Sequence, residues 1–120
     1  MALADDLAGE EFAYLTTRGR RSGRAHTIEI WFALVGTSVW VVSGGGTSSD
    51  WVANLLAAPA VTVRVGRRTF TGRARTEPGD AGEAAVARRL LAARYQGWEE
   101  GRPLSGWASS GLAVAVDLDP

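Results

Sequence analysis

Several short segments of this 120-residue sequence alternate apolar and polar residues, one more, Ser38–Ser43, is a continuous apolar run, and compact reversals link most of them. Alternation with a period of two is typical of a strand that buries one face, and short reversals join strands that run antiparallel. The segments that we predict as strands are Glu11–Thr17, Thr27–Val35, Ser38–Ser43, Val61–Val65, Arg68–Thr76 and Leu112–Leu118.

Two helices are predicted within this series of strands. Asp50–Ala58 places apolar residues at helical spacing and stops before Pro59. Ala81–Tyr95 has a longer apolar stripe. Leu3–Glu10 is typical of a short N-terminal helix or an ordered arm, and residues 96–110 are predicted as a loop.

The predicted order β-β-β-α-β-β-α-β, with short links, favours a small antiparallel barrel over a doubly wound parallel sheet. A chain of this length, with 46% apolar residues, is expected to form one domain around one modest core. We therefore predict a mainly β (α+β) fold over residues 1–120, with about six mostly antiparallel strands and two to three helices.

The composition excludes several kinds of site. The sequence has no cysteine, which excludes disulfides, thiolate catalysis and iron–sulfur clusters, and His26 is its single histidine, so we predict no metal site. No apolar run is long enough to span a membrane, and the acidic start does not fit a signal peptide, so we predict a cytoplasmic protein without an integral membrane segment. Zero net charge argues against a nucleic-acid partner.

The turn Arg18–Arg24 contains four of the thirteen basic residues, all of them arginine. Backbone N–H groups, a hydroxyl and several guanidinium groups in one turn suit a phosphate or carboxylate ligand. The alternative is a solvated turn whose arginines only aid solubility, and composition gives the two interpretations about equal weight.

A glycine run, Gly44–Gly46, follows Ser43 and precedes the first predicted helix. Glycines let backbone N–H groups approach a ligand, and a helix N-terminus favours negative charge. The alternative is a flexible connection, since the run matches neither the phosphate-loop nor the dinucleotide-binding pattern.

Five tryptophans are many for a chain of this length. Trp40 lies in an apolar strand and is predicted to be in the core, whereas Trp51 either packs its helix on the sheet or lines a site for a ring-shaped ligand. Trp98 and Trp107 lie in the predicted loop, where they could line a pocket mouth or contact a partner chain.

Three motifs, in this order and spacing, resemble the deazaflavin-dependent nitroreductase family. The resemblance is close over residues 12–76 and loose elsewhere. The motifs are Leu15-Thr-Thr-Arg-Gly-Arg-Arg-Ser-Gly-Arg24 with His26, then Val42-Ser-Gly-Gly-Gly46 with Asp50-Trp51-x-x-Asn54-Leu55, and then Pro59-x-Val-Thr-Val63.

The resemblance implies a split β-barrel related to the flavin-mononucleotide-binding oxidases, and the 8-hydroxy-5-deazaflavin coenzyme called factor 420. It implies hydride transfer from the reduced coenzyme to an electron-poor acceptor, which would be a quinone, a nitro compound or an enone. The alternatives are the same fold with flavin mononucleotide (FMN), or a non-enzymatic carrier of an anionic cofactor or lipid. The barrel relatives often pair, so a homodimer is a further expectation.

The resemblance also implies the site residues. Gly44 stands where well-known members have a lysine, so a positive charge near the phosphate is missing and the cofactor choice is left open. Tyr95 or water is the expected proton donor. The residues expected to bind the cofactor are Thr17, Arg20, Arg21, Ser22, His26, Ser43, Gly44, Gly45, Gly46, Trp51 and Asn54. The residues expected to contact the substrate are Trp31, Tyr95, Trp98 and Trp107.

Overall fold

The computed structural model describes residues 7, 9–77 and 82–120. Within them, the strands are β1 (Ala13–Arg18), β2 (Ala25–Ile30), β3 (Ala33–Val35), β4 (Ser38–Ser43), β5 (Ala60–Val65), β6 (Arg68–Glu77) and β7 (Leu112–Leu118). The helices are α1 (Asp50–Ala57), α2 (Gly82–Gln96) and α3 (Gly106–Ser110), and a short 3-10 turn, Gly46–Ser48, precedes α1.

The seven strands form one sheet in the order β2-β1-β5-β6-β7-β4-β3, and each neighbouring pair is antiparallel. Strands β2 and β3 lie at opposite ends of this order, yet only Trp31 and Phe32 separate them in the chain. The sheet therefore has to curl until its two edges approach each other. This half-barrel confirms the predicted mainly β, antiparallel split barrel.

The prediction of one long strand over Thr27–Val35 is wrong, because the chain leaves the sheet at Trp31 and Phe32. Instead of pairing with a strand, the Phe32 N–H donates to the Tyr95 hydroxyl at 3.3 Å. That hydroxyl also lies 3.2 Å from the Phe32 carbonyl oxygen. A side chain from α2 thus satisfies the backbone groups that a continuous strand would have paired.

The prediction that residues 96–110 are a loop is wrong at its end, where the chain forms α3. The Ser105 hydroxyl caps this helix by accepting a hydrogen bond from the Ala108 N–H at 3.1 Å. A serine before a short run of small residues was the available signal. The predicted helix or arm over Leu3–Glu10 lies largely outside the described residues, and so does Ala81, the first residue of the second predicted helix.

The core fills the inside of the curled sheet. Alternate residues of β1 and β5 are buried. All six residues of β4 are buried, because one of its faces points into the core inside the curled sheet and α2 covers the other face. Trp40 is fully buried against Ala84 and Ala87 of α2, which confirms its predicted place in the core.

Candidate coenzyme and acceptor site

The arginine-rich turn between β1 and β2 is closed by its own backbone. The Gly19 N–H donates to the Arg24 carbonyl at 2.7 Å, and the Gly23 N–H donates to the Gly19 carbonyl at 2.8 Å. His26 lies directly over this turn, since a Cβ atom on Gly19 would be only 2.7 Å from the His26 Nε2. Glycine at position 19 thus lets the imidazole lie against the turn, and a larger residue there would displace it.

Arg20 joins this turn to helix α1. Its backbone N–H and its guanidinium Nη1 both donate to the Asn54 Oδ1, at 3.2 and 2.8 Å. Its Nη2 lies 3.4 Å from the carboxylate of Asp50. Asn54 is buried, and its Nδ2 donates to the Thr17 hydroxyl at 3.3 Å. The side chain of Arg20 therefore fixes the turn on α1.

A cavity of about 490 Å³ lies between the turn and the N-terminal half of α1. Arg21 is exposed, and among the described residues its guanidinium has no hydrogen bond or ion pair. The Ser22 hydroxyl accepts from the Arg24 N–H, which leaves its own proton free to donate. The lining residues are Gly19, Arg20, Arg21, Ser22, His26, Thr27, Ile28, Asp50, Trp51 and Asn54.

Trp51 has both of the roles considered from the sequence. It is half-buried and packs against the main core, and its exposed part lines the cavity. Asp50, which the sequence analysis left out of the site, also lines the cavity, where the nearby Arg20 partly offsets its negative charge.

The structure does not bring the glycine run into this cavity. The buried Ser43 hydroxyl contacts the Ser49 hydroxyl at 2.8 Å and lies 3.1 Å from the Gly46 carbonyl, so Ser43 fixes the loop that leads into α1. Gly44 lies instead beside Trp107 of α3. The binding of cofactor by Ser43 and Gly44–Gly46 stays a prediction.

A second cavity, of about 240 Å³, lies among aromatic side chains. Trp31 stacks on Tyr95, with 4.7 Å between ring centroids and 7° between planes, and meets Trp107 edge-on at 5.4 Å. Trp98 lines neither cavity, and its indole N–H donates to the Arg102 carbonyl at 2.8 Å. The residues that line the second cavity are Phe12, Glu29, Ile30, Trp31, Val42 and Trp107.

Strand β2 connects the two cavities. Thr27 and Ile28 line the first, and the next two residues, Glu29 and Ile30, line the second. Sequence analysis did not assign these four residues to the site, because only the register of β2 at the sheet edge brings them there. Their one signal in the sequence was that they directly follow the arginine-rich turn.

The Tyr95 hydroxyl is engaged with the backbone. It lies 2.7 Å from the Glu11 carbonyl and 3.2 Å from the Phe32 carbonyl, and it accepts from the Phe32 N–H. Burial raises the pKa of Tyr95 above its ordinary value. These contacts favour an anchoring role, and the assignment of Tyr95 as proton donor stays a prediction.

Tyr14 and Glu29 form a pair on neighbouring strands at the edge of the second cavity. The Tyr14 hydroxyl donates to the Glu29 carboxylate at 2.8 Å, and Arg64 lies 4.2 Å from the centre of the Tyr14 ring. The hydrogen bond to Glu29, followed by the charge of that carboxylate, raises the pKa of Tyr14. The cavity rim thus has a negative group held in place.

A curled antiparallel half-barrel with a cationic cavity beside an aromatic one defines a split-barrel protein whose cavities suit an anionic, ring-bearing ligand. The family model described as F420H(2)-dependent quinone reductase matches residues 2–118, and the chain belongs to this family. It is an oxidoreductase, and its cofactor is the deazaflavin coenzyme F420. Membership decides against the alternatives of FMN and of a non-enzymatic carrier, and confirms the family resemblance seen in the motifs.

Solved structures with this fold have varied cofactors in their names. The heme storage protein HutZ of Vibrio cholerae is 13% identical, with a TM-score of 0.75, and the match covers 98% of this chain and 88% of that one. An F420 reductase is 20% identical, with a TM-score of 0.67 and coverage of 100% and 95%. An FAD-binding protein of Mesorhizobium loti is 17% identical, with a TM-score of 0.65 and coverage of 100% and 91%. Comparison with curated protein sequences gives no match.

The chemistry of the first cavity fits the coenzyme. An unpaired guanidinium, a hydroxyl proton and an imidazole suit the acidic phosphate and glutamate end of the coenzyme, and an indole beside them suits a ring. In the described part of the chain, no helix has the length and apolar character needed to cross a membrane. A cytoplasmic location stays a prediction.

Proposed function

We propose that the protein reduces a quinone, or a related electron-poor acceptor, bound in the aromatic cavity while the deazaflavin coenzyme occupies the cavity beside the arginine-rich turn. One observation supports this above the others. Consecutive residues of β2 line two cavities of opposite character, one cationic and one aromatic. A coenzyme with an acidic tail and a redox-active ring needs that juxtaposition to bring its ring to an acceptor.

In this proposal Arg21, Ser22 and His26 hold the acidic end of the coenzyme by charge-assisted hydrogen bonds. Arg20 acts through the turn, because its donors are already used by Asn54 and Asp50. Trp51 provides the apolar side of the cavity. Bound in its reduced form, the coenzyme supplies the hydride.

The acceptor ring lies against the exposed surfaces of Trp31 and Trp107, which contact each other edge-on. The Glu29 carboxylate at the rim disfavours an acceptor with negative charge, which fits a neutral quinone. The backbone contacts of Tyr95 favour water over this hydroxyl as the source of the proton. The cavity is open enough for water to reach the product.

The test is the substitution Arg21→Ala. The affinity for the coenzyme is measured by the quenching of tryptophan fluorescence. Loss of one charged hydrogen bond of roughly 1.5 kcal/mol should weaken binding about tenfold. Arg24→Ala is the matched control, since Arg24 is an exposed arginine of the same turn that does not line the cavity. Equal effects of the two substitutions would contradict the proposed tail site.

A further inference from the structure

We propose that Gly44 is a specificity-determining position for the acceptor, which acts by leaving space for the indole of Trp107. This inference rests on the proposed function, because it assumes that the acceptor binds in the aromatic cavity. Gly44 is a positioning residue in this proposal. Trp107 is the residue that contacts the acceptor.

The contact between Gly44 and Trp107 is tight. A Cβ atom on Gly44 would lie 3.2 Å from Cδ1 and 3.9 Å from Nε1 of the Trp107 indole. Carbon atoms at optimal separation are roughly 3.5 to 4.0 Å apart, so even alanine would require the ring to move. Gly44 does not have a positive φ, so the need for glycine comes from packing and not from the backbone.

Trp107 cannot easily move with its helix, because α3 is held from the other side. Arg88 of α2 is buried, and its Nη1 donates to the Ala108 carbonyl at 3.0 Å. Trp107 also packs against the cluster formed by Ala33, Val42 and Leu91. A displaced indole therefore has to rotate about its own side-chain bonds.

The available direction for that rotation is the aromatic cavity. Trp107 lines this cavity and Gly44 does not, so the indole stands between the glycine and the acceptor. A side chain at position 44 would displace the indole by a few tenths of an ångström into the aromatic cavity and narrow the space in which a flat acceptor lies. Gly44 thus sets the width of the acceptor cavity through Trp107.

The experiment is a double-mutant cycle of Gly44→Ala and Trp107→Phe, with a one-ring and a two-ring quinone as acceptors. Gly44→Ala should lower the ratio of kcat/KM for the two-ring over the one-ring quinone by about threefold or more, mainly through KM. In the Trp107→Phe background the same substitution should change this ratio little, because the smaller ring removes the crowding. Gly82→Ala is the control, since a Cβ there meets nothing within 4 Å.

Two measurements that do not depend on turnover accompany the double-mutant cycle. Gly44→Ala should change the near-ultraviolet circular dichroism of the coenzyme-free protein, where the Trp31, Tyr95 and Trp107 rings couple, and coenzyme affinity is measured beside it to test the alternative that Gly44 binds the coenzyme. If Gly44→Ala alone does not fold, the double variant should fold. Failure of both to fold would overturn the inference.

Two outcomes separate the inference from the proposed function. If Trp107→Phe alters the quinone ratio but the effects of the two substitutions simply add, Gly44 does not act through Trp107, and this inference is overturned while the acceptor site stands. If Trp107→Phe leaves KM unchanged for both quinones, the acceptor binds elsewhere and the proposed function fails with it. Weaker coenzyme binding by Gly44→Ala, with an unchanged quinone ratio, would place Gly44 in the coenzyme site and overturn the inference.

Discussion

Arg20 and Arg21 are adjacent in the chain but differ in their surroundings. The side chain of Arg20 is 32% exposed and bonded to Asn54 and Asp50, whereas the guanidinium of Arg21 has no partner among the described residues. The sequence motif gave both the same role in cofactor binding. The structure separates a residue that supports the turn from one whose donors remain available to a ligand.

At this scale we predict that Arg20→Ala destabilises the protein while Arg21→Ala does not. The first substitution removes the guanidinium donor to the buried Asn54 oxygen but keeps the backbone N–H donor, which should cost about 0.5–1.5 kcal/mol of unfolding free energy. Urea unfolding followed by tryptophan fluorescence measures both variants. A stability loss confined to Arg21→Ala would contradict the assigned difference.

At the scale of elements, an ion pair joins strands β6 and β7 on the side of the sheet covered by α2, and a hydrogen bond from β4 meets the same carboxylate. Arg75 donates from Nε to the Asp117 Oδ2 at 2.7 Å and from Nη2 to the Oδ1 at 3.2 Å, and the Ser38 hydroxyl donates to Oδ1 at 2.6 Å. The hydrogen bonds from Arg75 and Ser38 lower the pKa of Asp117 below 3.8. Side chains from three strands thus meet at one carboxylate.

This pair should make stability depend on acid pH. Because the folded state lowers the pKa of Asp117, its contribution is complete above the unfolded pKa of about 3.9 and is lost as the pH falls through the folded pKa. Asp117→Asn should lower the melting temperature at pH 7, and the difference from wild type should shrink as the pH falls below the unfolded pKa and through the lowered pKa of folded Asp117. Calorimetry against pH measures this.

Asp119→Asn is the control for that measurement. Asp119 is exposed, and its described hydrogen bond comes from the neutral hydroxyl of Thr71, at 2.6 Å. We expect a smaller change at every pH. A difference between Asp117→Asn and wild type that does not vary with pH would mean that the ion pair makes no pH-dependent contribution.

At the scale of the whole molecule, the net charge is zero, and four of the thirteen arginines cluster in one turn. Long-range steering of an anionic coenzyme is therefore weak, and its attraction comes from groups at the cavity. The aromatic cavity, where the acceptor is proposed to bind, is lined by one charged residue, Glu29, so a neutral quinone would have little electrostatic attraction to it. The single domain and the homodimer stay predictions, and light scattering of the purified protein measures the latter.

This charge distribution predicts that salt affects the two ligands differently. Raising salt from about 0.05 M to 0.5 M shortens the screening length to a few ångström and should weaken coenzyme binding several-fold. KM for a neutral quinone should change little. Titration and steady-state kinetics across the salt series measure both, and equal responses would argue against the separation into a cationic and an aromatic cavity.

The periodicities of the sequence determined much of this fold, because each depends on residues close together in the chain. Alternation in β1 and β5 gave their buried faces, and helical spacing gave α1 and α2, whereas β7 is buried on both faces at its centre. The arginine-rich turn and the motifs around it gave the family and the coenzyme. Such patterns are local, so a single sequence displays them.

The tertiary structure alone decided which of these residues meet. Arg20 bonds to Asn54, 34 positions away, and Phe32 to Tyr95, 63 positions away, and these pairs fix the turn and break the strand. The Gly44–Trp107 contact likewise joins a loop to a helix that the sequence did not predict. The physical reason is that side-chain packing and hydrogen bonding across the half-barrel depend on how the sheet curls, and no local pattern in the chain specifies that geometry.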